Sequence, residues 1–352
     1  MFDTLASLRR NCEQTEAALL ALMQQIADRF APPFSPRLRA EIGGLVDQAD
    51  VLRLALTRHY AFHLHTPEAR SLPIHAPDRR YFQAVQRHLR LWPAAMTRLR
   101  TALRQRPLPL LPPAPPPYGP EAQSLALQSR LWDRLHAHLS PTPPNLYHAA
   151  PGHHGDLSYP TTDFLRYAMA ARRIALAQDK TDSRFLDIGC GVGLKVFQAA
   201  ELFVKADGLE YEAAHASAAQ DLLHRGGWPQ ARIYHADALQ FDQYGAYDVL
   251  YLYKPMYGDP LLALESRIIS QARDGTLLIA PYTEFTTRFE DLGCLRIDGF
   301  LYMIRPPHGL PKLLRRARQV GCALPARPKT GYAEDGFLAP LHLALRRWGH
   351  GD

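Results

Sequence analysis

The stretch RFLDIGCGVGLKVFQAAELF, residues 184–203, constrains this 352-residue chain more than any other. Phe185, Leu186 and Ile188 are the apolar residues of a short strand. Gly189, Gly191 and Gly193 follow at every second position, and an amphipathic helix starts at once. A strand that runs through a glycine turn into a helix is the opening half of a nucleotide-binding α/β unit. Without a Cβ, the turn can approach a ligand closely. A dinucleotide fingerprint, G-x-G-x-x-G, needs a third glycine at 194, where leucine stands. That disfavours an NAD(P)-dependent oxidoreductase without removing it.

From here to about residue 305 strands alternate with helices. ADGLE (206–210) ends in Glu210, with Tyr211 next to it. ARIYHADALQF (231–241) carries a third strand followed by Asp237-Ala238, and YDVLYLYKPMYGD (247–259) opens as a fourth. GTLLIAPY (275–282) is a fifth, and LGCLRIDGFLYMIRP (292–306) is a pair of strands around the turn dipeptide Asp298-Gly299.

The run Asp187-Ile188-Gly189-Cys190-Gly191-Val192-Gly193, in the order D-x-G-x-G-x-G, resembles motif I of the class I S-adenosylmethionine (SAM)-dependent methyltransferases. The resemblance covers about residues 160–306. It implies an α/β fold: a seven-stranded Rossmann-like sheet, parallel with an antiparallel terminal hairpin, in the order 3-2-1-4-5-7-6. It implies SAM as the cofactor, held by Asp187, Gly189, Cys190, Gly191, Gly193, Glu210, Tyr211, Asp237 and Ala238. Glu210 would take the ribose hydroxyls, and Asp237 with Ala238 the adenine edge.

The end of the fourth strand faces the transferable methyl in such a sheet, because ligands bind beyond the carboxyl ends of parallel strands. Here it reads Tyr253-Lys254-Pro255-Met256-Tyr257. Methyltransferases acting on base or amide nitrogens often place Asn or Asp where Lys254 stands and a second proline where Met256 stands. The departure counts against that substrate class. Tyr253, Lys254 and Tyr257 are the catalytic candidates. Lys254 can orient an anionic acceptor, act as a base if desolvated, or be a solvated strand end. PGHHGDLSYPTTDFLRYAM (151–169) adds His153, His154, Asp156 and Tyr159 as acceptor contacts, or as plain linker residues.

Residues 1–105 read as a helical bundle. Leu5, Leu8, Cys12, Thr15, Leu19, Leu22 and Ile26 form one seam, and Leu38, Ile42, Leu45, Ala49, Leu52 and Leu56 another. Between them, APPFSP breaks the helix, Ser35 caps the next one and Pro36 opens it. A third helix runs from about Asp78 to Gln105, kinked or divided at Pro93. RPLPLLPPAPPPYGP (106–120) is a proline-rich linker, which leaves 121–352 as the methyltransferase domain with a C-terminal helical tail. His59 and His63, four apart, lack a visible third ligand, so no metal is expected.

Net charge is +7, placed as +7 in residues 1–110, −6 in 111–304 and +6 in 305–352. Basic ends can serve a polyanion such as RNA; arginines spread over solvated helix faces explain them as well. Four scattered cysteines, no secretory leader and no apolar run of membrane length point to a cytoplasmic protein with no membrane partner. The acceptor is unidentified, with a small molecule or protein favoured over RNA and a homodimer through the N-terminal helices as a further expectation. The reading from another class is a non-catalytic SAM- or nucleotide-binding module.

Overall fold

The computed structural model describes residues 5–65, 76–113, 115–141, 158–228, 231–322 and 336–351. It divides into two compact units, residues 1–106 with 319–352, and residues 107–318.

The second unit is built on one sheet. Its strands are β1 (Arg184–Ile188), β2 (Lys205–Glu210), β3 (Ile233–His235), β4 (Val249–Leu252), β5 (Leu277–Ile279), β6 (Cys294–Asp298) and β7 (Leu301–Ile304), in the order 3-2-1-4-5-7-6. β1 to β5 are parallel, and β7 runs antiparallel to both β5 and β6. β1 lies between β2 and β4, pairing Asp187 with Gly208 on one side and Tyr251 on the other. The apolar runs in β1, β4 and β5 are what a parallel strand covered on both faces requires.

Each face has its own core. Phe185, Val249, Tyr251, Leu277, Ile279 and Met303 pack with Phe164, Ala168, Ala171 and Ile174. Those four belong to the helix Thr161–Ala177, called α5 below because the helices α1 (Leu5–Arg29), α2 (Pro36–His65), α3 (Ala76–Arg104) and α4 (Pro120–Leu139) precede it. Val196 and Ala199 of α6 (Leu194–Ala199) cover the same face, and Leu223 of α7 (Ala213–Arg225) joins them. On the other face Leu186, Ile188, Leu250, Leu252, Leu278 and Tyr302 pack with Leu261, Leu264 and Ile268 of α8 (Asp259–Gln271). Burying each such Leu or Phe side chain contributes about 1.5–3 kcal/mol.

The proline-rich stretch from 107 belongs to this unit and is not a free linker. The cause is Arg173 on α5, 3% exposed, whose guanidinium donates to the carbonyls of Pro109 (2.7 Å) and Leu108 (3.4 Å). Arg166 binds the Pro112 carbonyl at 2.6 Å. Prolines leave their carbonyls without helical partners, and the arginines supply donors. The short helix α9 (Leu310–Ala317) completes the unit by packing on α5.

The first unit is helical. Leu8, Cys12, Leu19, Met23 and Ile26 of α1 are buried with Ile42, Val46, Ala49 and Leu56 of α2, so Met23 and Val46 take core places the spacing gave to Leu22 and Leu45. Ser35 Oγ accepts from the Leu38 amide at 3.1 Å, the N-cap expected of it. α3 continues through Pro93 as one helix, its Trp92 indole donating to Asp50 of α2 at 3.0 Å. The tail assigned by sequence to the methyltransferase domain groups here instead from Gln319 onward. α10 (Ala339–Arg347) packs on α1 and α3, burying Leu341 and Leu345, and Phe337 meets the His88 ring at 5.6 Å. Apolar residues spaced for one helix face do not say which bundle that face joins. Among the described residues no helix is long and apolar enough to cross a membrane.

Candidate functional site at the carboxyl edge of the sheet

All three glycines of the β1–α6 turn have positive φ: 78° at Gly189, 54° at Gly191 and 77° at Gly193. A side chain there would be strained whatever the space. Space is also short. A Cβ on Gly189 would stand 2.7 Å from the Pro255 Cβ, and one on Gly193 would stand 2.8 Å from Ala219. The turn is thus clasped between the end of β4 and α7. Its Gly189 and Cys190 amides both donate to the Leu209 carbonyl, at 2.8 and 3.0 Å. Cys190 packs on Gly208 of β2, where an added Cβ would come within 2.7 Å of its sulfur.

Glu210, at the tip of β2, ties this turn to the next. Its Oε2 accepts from the Gly191 amide and its Oε1 from the Glu212 amide, both at 2.8 Å. Tyr211 beside it is half exposed, and its carbonyl lies 3.0 Å from His235 Nε2. Asp237 Oδ1 accepts from the Leu239 amide at 2.8 Å, an Asx turn that fixes the loop after β3. Ala238 is buried, and its carbonyl accepts from the Tyr244 hydroxyl at 2.8 Å.

Asp187 differs from the other acids. It is 1% exposed, and neither carboxylate oxygen has a hydrogen-bond partner. Desolvation pushes its carboxyl up to about 8; Glu210 adds to the rise, and Lys195 opposes it. Lys195, on α6 and itself buried, donates to Thr161 Oγ1 at the start of α5 at 2.7 Å and lies 5.8 Å from the Phe164 ring centre. A buried carboxylate with no donor is costly unless something supplies one. Keeping its proton near neutral pH is how the raised carboxyl lowers that cost.

The β4 side is organised around pairs. Tyr253 is partly buried, its ring 5.0 Å from that of Tyr159 just before α5. Burial, chiefly, and Asp163 raise the Tyr159 hydroxyl above its ordinary range. Lys254 has φ 46°, unusual outside glycine, and its ammonium is bonded to Glu284 in the short 3₁₀ turn Thr283–Thr287 after β5. That bond chiefly holds the Glu284 carboxyl below its usual range. A lysine locked to a carboxylate is a cationic donor, so of the three sequence readings the base is the one this geometry disfavours. Pro255 seats on Gly189, Met256 is buried and Tyr257 is half exposed.

The structure thus brings Asp187, Gly189, Cys190, Gly191, Gly193, Glu210, Tyr211, Asp237, Ala238, Tyr253, Lys254 and Tyr257 to the loops at one edge of the sheet. His153, His154 and Asp156 lie outside the described residues, as does the side chain of His63. Among the described residues no three His, Cys, Asp or Glu side chains group to hold a metal. Sequence reasoning missed Glu284, Lys195 and Thr161. An acid just past the fifth strand was visible in PYTEF, but nothing local ties it to a lysine 30 positions earlier.

The strand order, with a single antiparallel insertion at β7, decides the architecture. The fold is that of the class I methyltransferases. No protein-family model and no curated protein sequence matches the chain. Solved structures similar to it include StiE O-MT residues 942–1257, 23% identical, covering 33% of this chain with a TM-score of 0.29. The chain spans 46% of that structure, less than half its length. An RNA methyltransferase from Salinibacter ruber in complex with S-adenosyl-L-homocysteine is 17% identical over 42% of this chain and 91% of its own, with a TM-score of 0.31. SAM-bound CalS10, an amino pentose methyltransferase from Micromonospora echinaspora, is 24% identical over 42% and 68%, with a TM-score of 0.30. Likenesses at this level carry no argument about cofactor or acceptor, which rests on the geometry above.

Proposed function

We propose that this chain binds SAM at the β1–β3 edge and transfers its methyl group to an acceptor seated against the end of β4. The observation that carries the reading is Asp187: a buried, unpartnered carboxylate directly ahead of three positive-φ glycines. SAM is a cation with an ammonium and a sulfonium, and a carboxylate of this kind suits it. Glu210 and Asp237 stand at successive strand ends, where a ribose and an adenine would follow, and the exposed ring of Tyr211 offers an apolar edge beside them. The residues fit the group. An acid at the place of Glu210 suits the ribose of either cofactor; what counts against a dinucleotide is Leu194, which stands where its third glycine belongs.

When bound, SAM supplies an activated methyl for in-line displacement. The protein's part is position and exclusion of water. Pro255, pressed on Gly189, fixes the distance between the two halves of the site. Tyr253, backed by Tyr159, and half-exposed Tyr257 offer flat apolar surface to the acceptor. Lys254, held by Glu284, presents a fixed donor and not a proton acceptor. Incubating the protein with methyl-labelled SAM and fractionated lysate tests the reading. Label entering RNA, protein or small molecules supports it and names the acceptor class. Tight SAM binding with no label transferred to any fraction would favour a non-catalytic SAM-binding module.

A further inference from the structure

The positive charge of the N-terminal region is not spread over its helices. α1 carries three arginines against three acids, and α2 four against three. α3 carries seven arginines and a single acid, Asp78, which is already paired with Arg9 at 2.6 Å. One helix therefore holds nearly all of the excess.

The arginines also share a side. Phe82, Val85, Trp92, Met96, Leu99 and Ala102 are buried along the core face of α3. At 100° per residue, Arg79, Arg80, Arg87, Arg90 and Arg104 fall on the opposite face, and all five are exposed. None of the five makes an ion pair among the described residues. At ~1.5 Å per residue, Arg80 to Arg104 spans some 36 Å of helix. Solvated faces normally interleave both signs, as α1 and α2 do. Arginine outnumbers lysine 35 to 6 throughout the chain, so the residue type is general; what sets α3 apart from α1 and α2 is the lack of acids on its outer face.

We infer that the outer face of α3 is a docking surface for the phosphate backbone of a polynucleotide. Guanidinium forks pair with phosphate oxygens in two-point contacts, and a flexible chain with a charge on every unit can follow a straight cationic rail. An anionic membrane fits less well, since α3 exposes no large apolar side chain to enter one. The inference is independent of the methyl-transfer reading, which concerns the other unit.

The test uses the full chain and a fluorescein-labelled 20-nucleotide single-stranded RNA, read by anisotropy from 50 to 300 mM salt. Contacts to four phosphates give a slope of log K against log salt of about −3. Replacing Arg80, Arg87, Arg90 and Arg104 together with Gln should weaken binding at least ~10-fold and flatten the slope by nearly that amount. A control variant loses the same charge elsewhere, with Arg10, Arg39, Lys312 and Arg315 changed to Gln; it should shift binding less than ~3-fold. Circular dichroism checks that both variants keep the wild-type melting temperature, and single Arg→Gln changes replace any set that does not. Equal loss in the two variants would overturn the inference, as would no RNA binding at 50 mM salt. So would tighter binding to poly-glutamate or to phosphatidylserine vesicles than to RNA.

Discussion

The two halves of the sheet's carboxyl edge handle charge in opposite ways. On the β1–β2 side, Asp187 is buried with no donor, and Glu210 is met only by backbone amides. On the β4–β5 side, the charges have found each other: Lys254 with Glu284, and, further along, Arg288 with Glu265 at 2.5 Å. A buried acid without a donor ionises only at a cost that a cationic ligand can offset; a paired charge shapes the surface around it. The contrast is what supports the proposal that the first half takes the cofactor and the second positions the acceptor.

The largest effect is expected from Gly189→Val. The new side chain meets a φ of 78° and the Pro255 ring at once, so it separates the halves. SAM binding should fall beyond calorimetric detection, a loss of more than ~4 kcal/mol, while the far-UV spectrum stays helical and β-rich.

Asp187→Asn should abolish most SAM affinity and yet stabilise the ligand-free protein in base. The folded-state carboxyl is raised to about 8 by burial, above its unfolded value of 3.8. Its favourable contribution is therefore complete below pH 3.8 and is lost as pH rises through 8. At pH 9 the Asn variant should melt above wild type, and the gap should close toward pH 5. The same carboxyl must ionise to hold a cation. Wild-type SAM affinity should therefore climb up to ~10-fold per pH unit between pH 6 and 8 and level off above. An affinity flat across that range would disconnect Asp187 from the ligand.

Glu210→Ala removes two amide bonds and the carboxylate expected at the ribose. The expected loss in SAM affinity is ~10- to 100-fold by titration. A loss confined to thermal stability, with affinity intact, would make Glu210 a purely structural tie.

The smallest effects belong to the β4 side. Lys254→Met breaks a partly exposed ion pair, so stability should change by only ~0.5 kcal/mol, and SAM affinity by less than threefold, while methyl transfer falls. Lys254→Gly also loses the pair but relaxes the φ of 46°, and should be more stable than the Met variant by ~1 kcal/mol. A drop in SAM affinity in both variants would move Lys254 to the cofactor half.

Much of this edge was legible in the sequence because its signals are local. Three alternate glycines behind an acid need no tertiary information, and neither do strands that end in Glu210 or run into Asp237. The sheet order came with the motif. What stayed hidden depends on distant partners. Lys254 reads as a free cation until Glu284 is placed beside it, and Asp187 reads as an ordinary motif acid until its burial and lack of donors are seen. The stretch from 107 looked like a linker because prolines look extended in any context; Arg173 decides where they go. The tail from 319 looked like part of the sheet domain only because it follows it.

On the proposed reading, Asp187 and the glycine turn hold a SAM cation. Calorimetric titration of the purified chain with SAM, and in parallel with NADH, meets it directly. One SAM should bind per chain with a dissociation constant tighter than ~100 μM, and NADH should give no heat. Binding of NADH without SAM would contradict it.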